Sequence, residues 1–200
     1  MAYGHTNFAA ITAAVADRFI TATIMKRGTY GAPANSGTMP TAGARHVTIT
    51  LTRNGAVDNP LGTITIVGTD VAGNVISEVM TPLDNTIATS ALWFKTVTAV
   101  TGGQTWITAD AEDGIVVGCA AASIVAQGSG VLHGVAVNTT ANGTITIADA
   151  GGTIAVLKAS IAEGLYLFDV NWSGYLSITA AAASDITVIH SGSMPSSYAM

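Results

Sequence analysis

Apolar and polar residues alternate along this chain with a period of two, and the polar partner is most often threonine. In His46-Val47-Thr48-Ile49-Thr50-Leu51-Thr52 the alternation places Val47, Ile49 and Leu51 on one face of an extended strand and the three threonines on the other. Gly62-Thr63-Ile64-Thr65-Ile66-Val67 continues the pattern. The same module reads again in Val131 to Val137 followed by Gly143-Thr144-Ile145-Thr146-Ile147. Turn signals separate the runs: Arg53-Asn54-Gly55, Asp70 to Asn74, Thr101-Gly102-Gly103, Asn142-Gly143, Asp149 to Gly152 and Trp172-Ser173-Gly174. In these turns Gly or Asn supplies the positive φ that a tight reversal requires.

Further strands are expected at Val75 to Thr81, Leu92 to Val100, Ile115 to Gly118, Ile154 to Leu157, Leu165 to Val170, Tyr175 to Thr179 and Ile186 to His190. Short strands with turns between them predict an all-β chain of two tandem small β-sandwich or jelly-roll-like modules. The small, flexible stretch Gln127-Gly128-Ser129-Gly130 marks the boundary, giving modules at 46–127 and 128–200. Residues 1–45 read as an extended N-terminal arm. Within it, Asn7 to Met25 fits either a short amphipathic helix, with Phe8, Ile11, Val15 and Phe19 near helical spacing, or a strand from Phe19 onward. Gly28 to Ala44, with Pro33 and Pro40 among its glycines, reads as a loop.

Composition sharpens this picture. Only 10% of residues are charged, against about 25% in an ordinary soluble protein. Hydrophobic residues reach 49%, yet no run approaches the roughly 20 apolar residues of a spanning helix, and the strand runs lack the paired aromatic girdles of a membrane barrel. No membrane partner is expected, and Met1 to His5 show no basic region of a secretory signal. A surface with threonine where lysine and glutamate usually stand suits close packing against neighbours, which points to an assembly component.

Charge is unevenly placed. Residues 1–53 hold Arg18, Lys26, Arg27, Arg45 and Arg53 against Asp17, a balance of +4, while the rest holds two cations against eleven acids, −9, for the net −5. A basic leader on an acidic body suits head-to-tail pairing or docking on an acidic partner. The expected contact residues of the arm are therefore Arg18, Lys26, Arg27 and Arg45 for charge, with Phe8, Ile11, Phe19 and Ile24 for apolar contact. Removing residues 1–45 is expected to leave the β modules folded. The cations are too few and too scattered for a nucleic-acid partner.

The residues offer little catalytic chemistry. His5, His46, His133 and His190 lack metal-ligand spacing, and no nucleophile elbow or phosphate loop is present. Cys119 is the single cysteine and reads as a buried small hydrophobe. Asp110-Ala111-Glu112-Asp113 is an acidic turn without EF-hand spacing, and Asp149 and Asp169 are the carboxylates that a glycosidase would pair. Trp93, Trp106 and Trp172 read chiefly as packing anchors, with Trp172, beside a turn, the one expected to be exposed. No catalytic residue, cofactor or metal is assigned.

The segment Gly68-Thr69-Asp70-Val71-Ala72-Gly73-Asn74-Val75-Ile76-Ser77-Glu78, then Thr89-Ser90 and Trp93-Phe94-Lys95-Thr96-Val97-Thr98-Ala99-Val100, resembles a pattern in structural proteins of tailed bacteriophages. Gly130 to His133, Gly143 to Ile147, Leu167 to Val170 and Asp185 to Val188 resemble the β modules of phage decoration and fibre-like proteins. The two stretches cover about residues 46–190, and the leader has no counterpart in them. The resemblance implies a non-enzymatic virion protein, most simply a capsid decoration (cement) protein. It would be made in the host cytoplasm and carried on the capsid exterior, where the major capsid protein is its partner and it forms a homo-oligomer, for which a trimer suits. The competing expectations are a neck or tail adaptor and a glycan-binding adhesin that presents Trp172, Tyr175 and Tyr166.

Overall fold

The computed structural model describes residues 4–11, 14–24, 29–30, 37–39, 43–52, 62–82, 86–102 and 114–192, which form strands and turns and no helix. The strands are β1 (Gly4–Ile11), β2 (Val15–Ile24), β3 (Thr29–Tyr30), β4 (Arg45–Thr52), β5 (Ile64–Thr69) and β6 (Val75–Met80). They continue with β7 (Ile87–Phe94), β8 (Thr96–Gly102), β9 (Gly114–Val137), β10 (Ile145–Asp149), β11 (Gly152–Leu157), β12 (Gly164–Ala180) and β13 (Ser184–Ser191). The chain divides into two compact units. The first comprises residues 14–39 and 44–120, and the second residues 1–13, 40–43 and 121–200.

In the first unit, the alternation of β4 emerges as read: Val47, Ile49 and Leu51 are buried, and Thr48, Thr50 and Thr52 face outward. β4 pairs with β7 and with β9, and β9 pairs with β2. A second sheet runs β3-β8-β5-β6, antiparallel throughout. The apolar cluster of this unit draws Phe19, Ile49, Phe94 and Val117 from one sheet and Ile64, Ile66, Val97 and Val100 from the other. Two sheets sharing one core make a β-sandwich. Gly68 sits at the register shift between the paired strands β5 and β8, where a Cβ would lie 1.9 Å from the Thr96 carbonyl oxygen of β8.

The second unit is a single antiparallel sheet in the order β1-β13-β9-β12-β10-β11. Its core takes Leu132, Val135, Val137, Ile186 and Val188 from one stretch of that sheet and Val125, Leu176, Ile178, Ile145 and Ile147 from the other. One sheet encloses its own core only by bending, and the bend has a visible cause. Gly128 and Gly174 are register partners on β9 and β12, with φ of 96° and 75°, and β12 slips register on either side, between Leu167 and Val170 and between Leu176 and Ser177. Glycines and bulges of this kind turn a strand without ending its ladder.

That bend corrects two expectations. Gln127 to Gly130 is not a linker but part of β9, and Trp172-Ser173-Gly174 lies inside β12 rather than between two strands. The compact units accordingly meet at residue 121, not 127. The N-terminal arm differs as well. β1 pairs with β13 and sends Phe8 into the core of the second unit, and β2 pairs with β9 and sends Phe19 and Ile20 into the core of the first. In its described residues the leader is woven into both units, because its apolar residues have buried sites to fill within the chain. Of Asn7 to Met25, open between helix and strand in the sequence, every described residue except Ala14 is strand.

Burying a phenylalanine contributes about 1.5–3 kcal/mol, and deleting one from a core costs about 3–5 kcal/mol once the cavity is included. Phe19→Ala should therefore lower the urea unfolding free energy by about 3–5 kcal/mol. A free arm would leave the unfolding midpoint where it was. By the same argument, removal of residues 1–45 should yield an unfolded or aggregated chain by circular dichroism.

Candidate functional site

The motif that runs from Gly68 through Glu78 to Val100 is held largely by hydrogen bonds to backbone. Asp70 Oδ1 accepts from the amides of Ala72 and Asn74 at 2.8 and 2.9 Å, its Oδ2 accepts from Asn74 Nδ2 at 3.1 Å, and Gly73 takes φ 87° in the turn. A short carboxylate that holds two amides fixes a turn of this kind. Eight residues on, Glu78 reaches from β6 to β7, where Oε1 accepts from Ala91 N at 2.7 Å and Oε2 from Leu92 N at 2.9 Å. There β7 bulges: Trp93 pairs with His46 and Thr89 with Thr48, leaving three residues opposite Val47. Ser90 fills the gap, its Oγ accepting from Val47 N at 2.8 Å and donating to Leu92 O at 2.9 Å. Asp70, Glu78 and Ser90 thus give partners to backbone groups that the turn and the bulge take out of the ladder.

The leader residues expected to dock on a partner fall in three groups. Phe8, Phe19 and Arg45 are fully buried within the chain, so none of them is a surface contact. Arg45 Nη1 donates to Ala120 O at 3.2 Å, and burial foremost lowers the pKa of its guanidinium. Arg18 is partly exposed, and its Nε and Nη2 donate to Thr38 O at 3.0 and 2.9 Å. The backbone of Ile11 pairs with Ser184 and that of Ile24 with Gly114. Lys26 and Arg27 lie outside the described residues.

Three of the four histidines come together in the second unit, which their spacing in sequence does not reveal. His5 pairs with Ile189 across β1 and β13, His190 with Gly4, and His133 stands beside Gly134, the β9 partner of Ile189. His133 Nδ1 lies 2.9 Å from Asp169 Oδ1, and His190 Nε2 lies 3.3 Å from Thr6 Oγ1. His190 Nδ1 is buried with no hydrogen-bond partner among the described residues. Burial, and then the positive charge of His133 and His5, holds the pKa of His190 below its ordinary value. No group of three or more His, Cys, Asp or Glu among the described residues is placed to hold a metal ion. His46 stacks on Trp93 at 3.7 Å between ring centroids, its Nδ1 lies 3.2 Å from Leu92 O, and burial lowers its pKa too.

Trp172, expected to be exposed, is 2% exposed and belongs to the core of the second unit. It was misread because the strand continues through its turn-like neighbours. Asp149 caps its own turn, accepting from Gly151 N and Ser173 N, and Asp169 holds His133. Trp106 and the acidic turn Asp110 to Asp113 lie outside the described residues.

Several outward positions on the strands are apolar. On β12, Leu165 and Leu167 are 54% and 69% exposed and lean over Gly134, with Val170 beyond them. On β6, Val75 and Val79 are 77% and 62% exposed. The sequence held the signal, since Leu165-Tyr166-Leu167-Phe168 and Val75-Ile76-Ser77-Glu78-Val79 have apolar residues in both alternating positions or on the wrong one. Isolated exposed apolar residues need no explanation, whereas a large contiguous apolar patch marks an interaction surface. Comparison with protein-family models, curated proteins and solved structures gives no match.

Glu78→Ala leaves two bulge amides without their acceptor and should cost about 1–3 kcal/mol in urea unfolding. A solvated, idle carboxylate would cost nothing measurable. The histidines set a pH dependence. Because His46 and His190 have lowered pKa values in the folded protein, the unfolded chain takes up their protons first as pH falls. Stability should thus decline as pH drops below about 6.5, the loss being complete once pH lies under both folded values. Urea midpoints between about pH 7.5 and pH 5 should show this decline, and the pair His46→Gln with His190→Gln should flatten it.

Proposed function

We propose that this chain is a non-enzymatic structural protein of a tailed-phage virion, a capsid decoration protein that stabilises the head from its exterior through contacts between copies and with the major capsid protein. The observation that carries the reading is the use made of polar groups. Asp70, Glu78, Ser90 and Asp149 are committed to the chain's own backbone, and the exposed strand faces carry valine, leucine and threonine. Surfaces of that kind bind by burial of area. Each interface formed lowers the free energy of the assembled shell by mass action, with no reaction required.

Docking then runs through sheet faces rather than through an arm, since Phe8, Phe19 and Arg45 are buried within the chain. Of the three aromatic residues the adhesin reading would present, Trp172 is buried, while Tyr166 and Tyr175 are half-buried. A neck or tail adaptor would use the same neutral faces and differs in copy number alone.

Quantitative mass spectrometry of purified particles, with the major capsid protein as internal reference, tests the proposal. Copies in simple ratio to the capsid protein, on the order of hundreds per particle, are expected from multivalent coverage of a shell. A dozen or fewer would transfer the protein to the neck or tail, and absence from particles would overturn the virion reading.

A further inference from the structure

Among the described residues, the first unit closes part of one open sheet edge and leaves another bare. There β7 pairs with β4 alone, and at its bulge Glu78 occupies the amides of Ala91 and Leu92. β6 ends the other sheet, paired with β5 on one side and with no strand on the other among the described residues. Soluble proteins blunt such an edge with lysine, proline, a bulge or a covering segment, because its backbone donors and acceptors recruit another strand. β6 pairs with β5 in unbroken register from Val75 to Met80 and contains no lysine or proline. Its one charge, Glu78, is turned inward and used.

The exposed positions of β6 are Val75, Ser77 and Val79, a pattern that is the same read in either direction. We infer that β6 pairs antiparallel with β6 of a second copy, about a two-fold axis at Ser77. In that register Val75 of each copy faces Val79 of the other, and Ser77 faces Ser77. The pairing adds two valine contacts, opposes no like charges on the exposed face, and gives the edge of β6 backbone partners that it lacks among the described residues. The contact is isologous: the same strand serves both copies, so the seam joins pairs rather than the threefold set expected from the sequence.

The seam stands apart from the virion reading and is tested on the purified full-length protein. Cys119 is buried and is the only native cysteine, so Ser77→Cys introduces one accessible thiol at the axis. Directly opposed residues in an antiparallel pair have Cα atoms about 4.5–5.5 Å apart, within disulfide reach. Mild oxidation should convert Ser77→Cys largely to a covalent dimer, while Thr144→Cys, exposed on the second unit, remains mostly monomeric. Adding Val79→Lys to Ser77→Cys should slow cross-linking about tenfold or more, the effect of roughly 1.4 kcal/mol of lost pairing. Circular dichroism confirms that each variant is folded. Cross-linking of Ser77→Cys no faster than Thr144→Cys, or a wild-type chain that sediments as a monomer at every concentration, overturns the seam. Either result leaves the copy number per particle untouched, so the two proposals fail separately.

Discussion

A strand of 24 residues presents a row of backbone donors and acceptors on each side, and the need to pair both rows of β9 organises this protein. In the first unit its early residues are held by β2 and β4, and in the second its later ones by β12 and β13. The leader is consumed in meeting related needs. β2 supplies one side of β9, and β1 completes β13, carrying Phe8 with it. Glycine at 118 belongs to the same constraint, since a Cβ there would sit 2.2 Å from the carbonyl oxygens of Val15 and Ala16.

Charge is scarce in this chain, and several of its charged side chains serve the backbone. Asp70 and Asp149 close turns, and Glu78 repairs a bulge. Asn138 spans Asp185 and Thr187 with its side chain while its amide bonds Asp185 O. Arg45, fully buried, donates to a main-chain carbonyl. Buried or half-buried polar atoms need partners, and a fold with many bends has many main-chain groups to offer. The corollary is a surface poor in solvating charge. Such a surface is a disadvantage for a free monomer and an asset for a protein that spends its life against neighbours.

Strand faces and most turns were legible in the sequence because their physics is local. Alternation at Val47, Ile49 and Leu51, or an aspartate two residues before a free amide, acts over a few ångströms and survives into any fold that uses the segment. The motif from Gly68 to Val100 was legible as a pattern, but its structural use was not: nothing in the spacing of Glu78 and Ser90 shows that both serve one bulge in β7. Gly128, Trp172 and Gly174 misled for the opposite reason. Their local signals are those of a linker or turn, and only the continuing β9–β12 ladder turns them into a bend.

By itself, then, the chain determined an all-β protein with alternating faces, neutral outer positions and no recognisable catalytic spacing, since side-chain period and turn chemistry are properties of neighbouring residues. Tertiary structure alone decided which strands pair, and pairing joins residues far apart in sequence. Gly4 meets His190, and His5, His133 and His190 gather in one unit. The same long-range pairing turned a presumed docking arm into core strands, because an apolar face finds its lowest free energy in whichever partner the whole chain can bring to it.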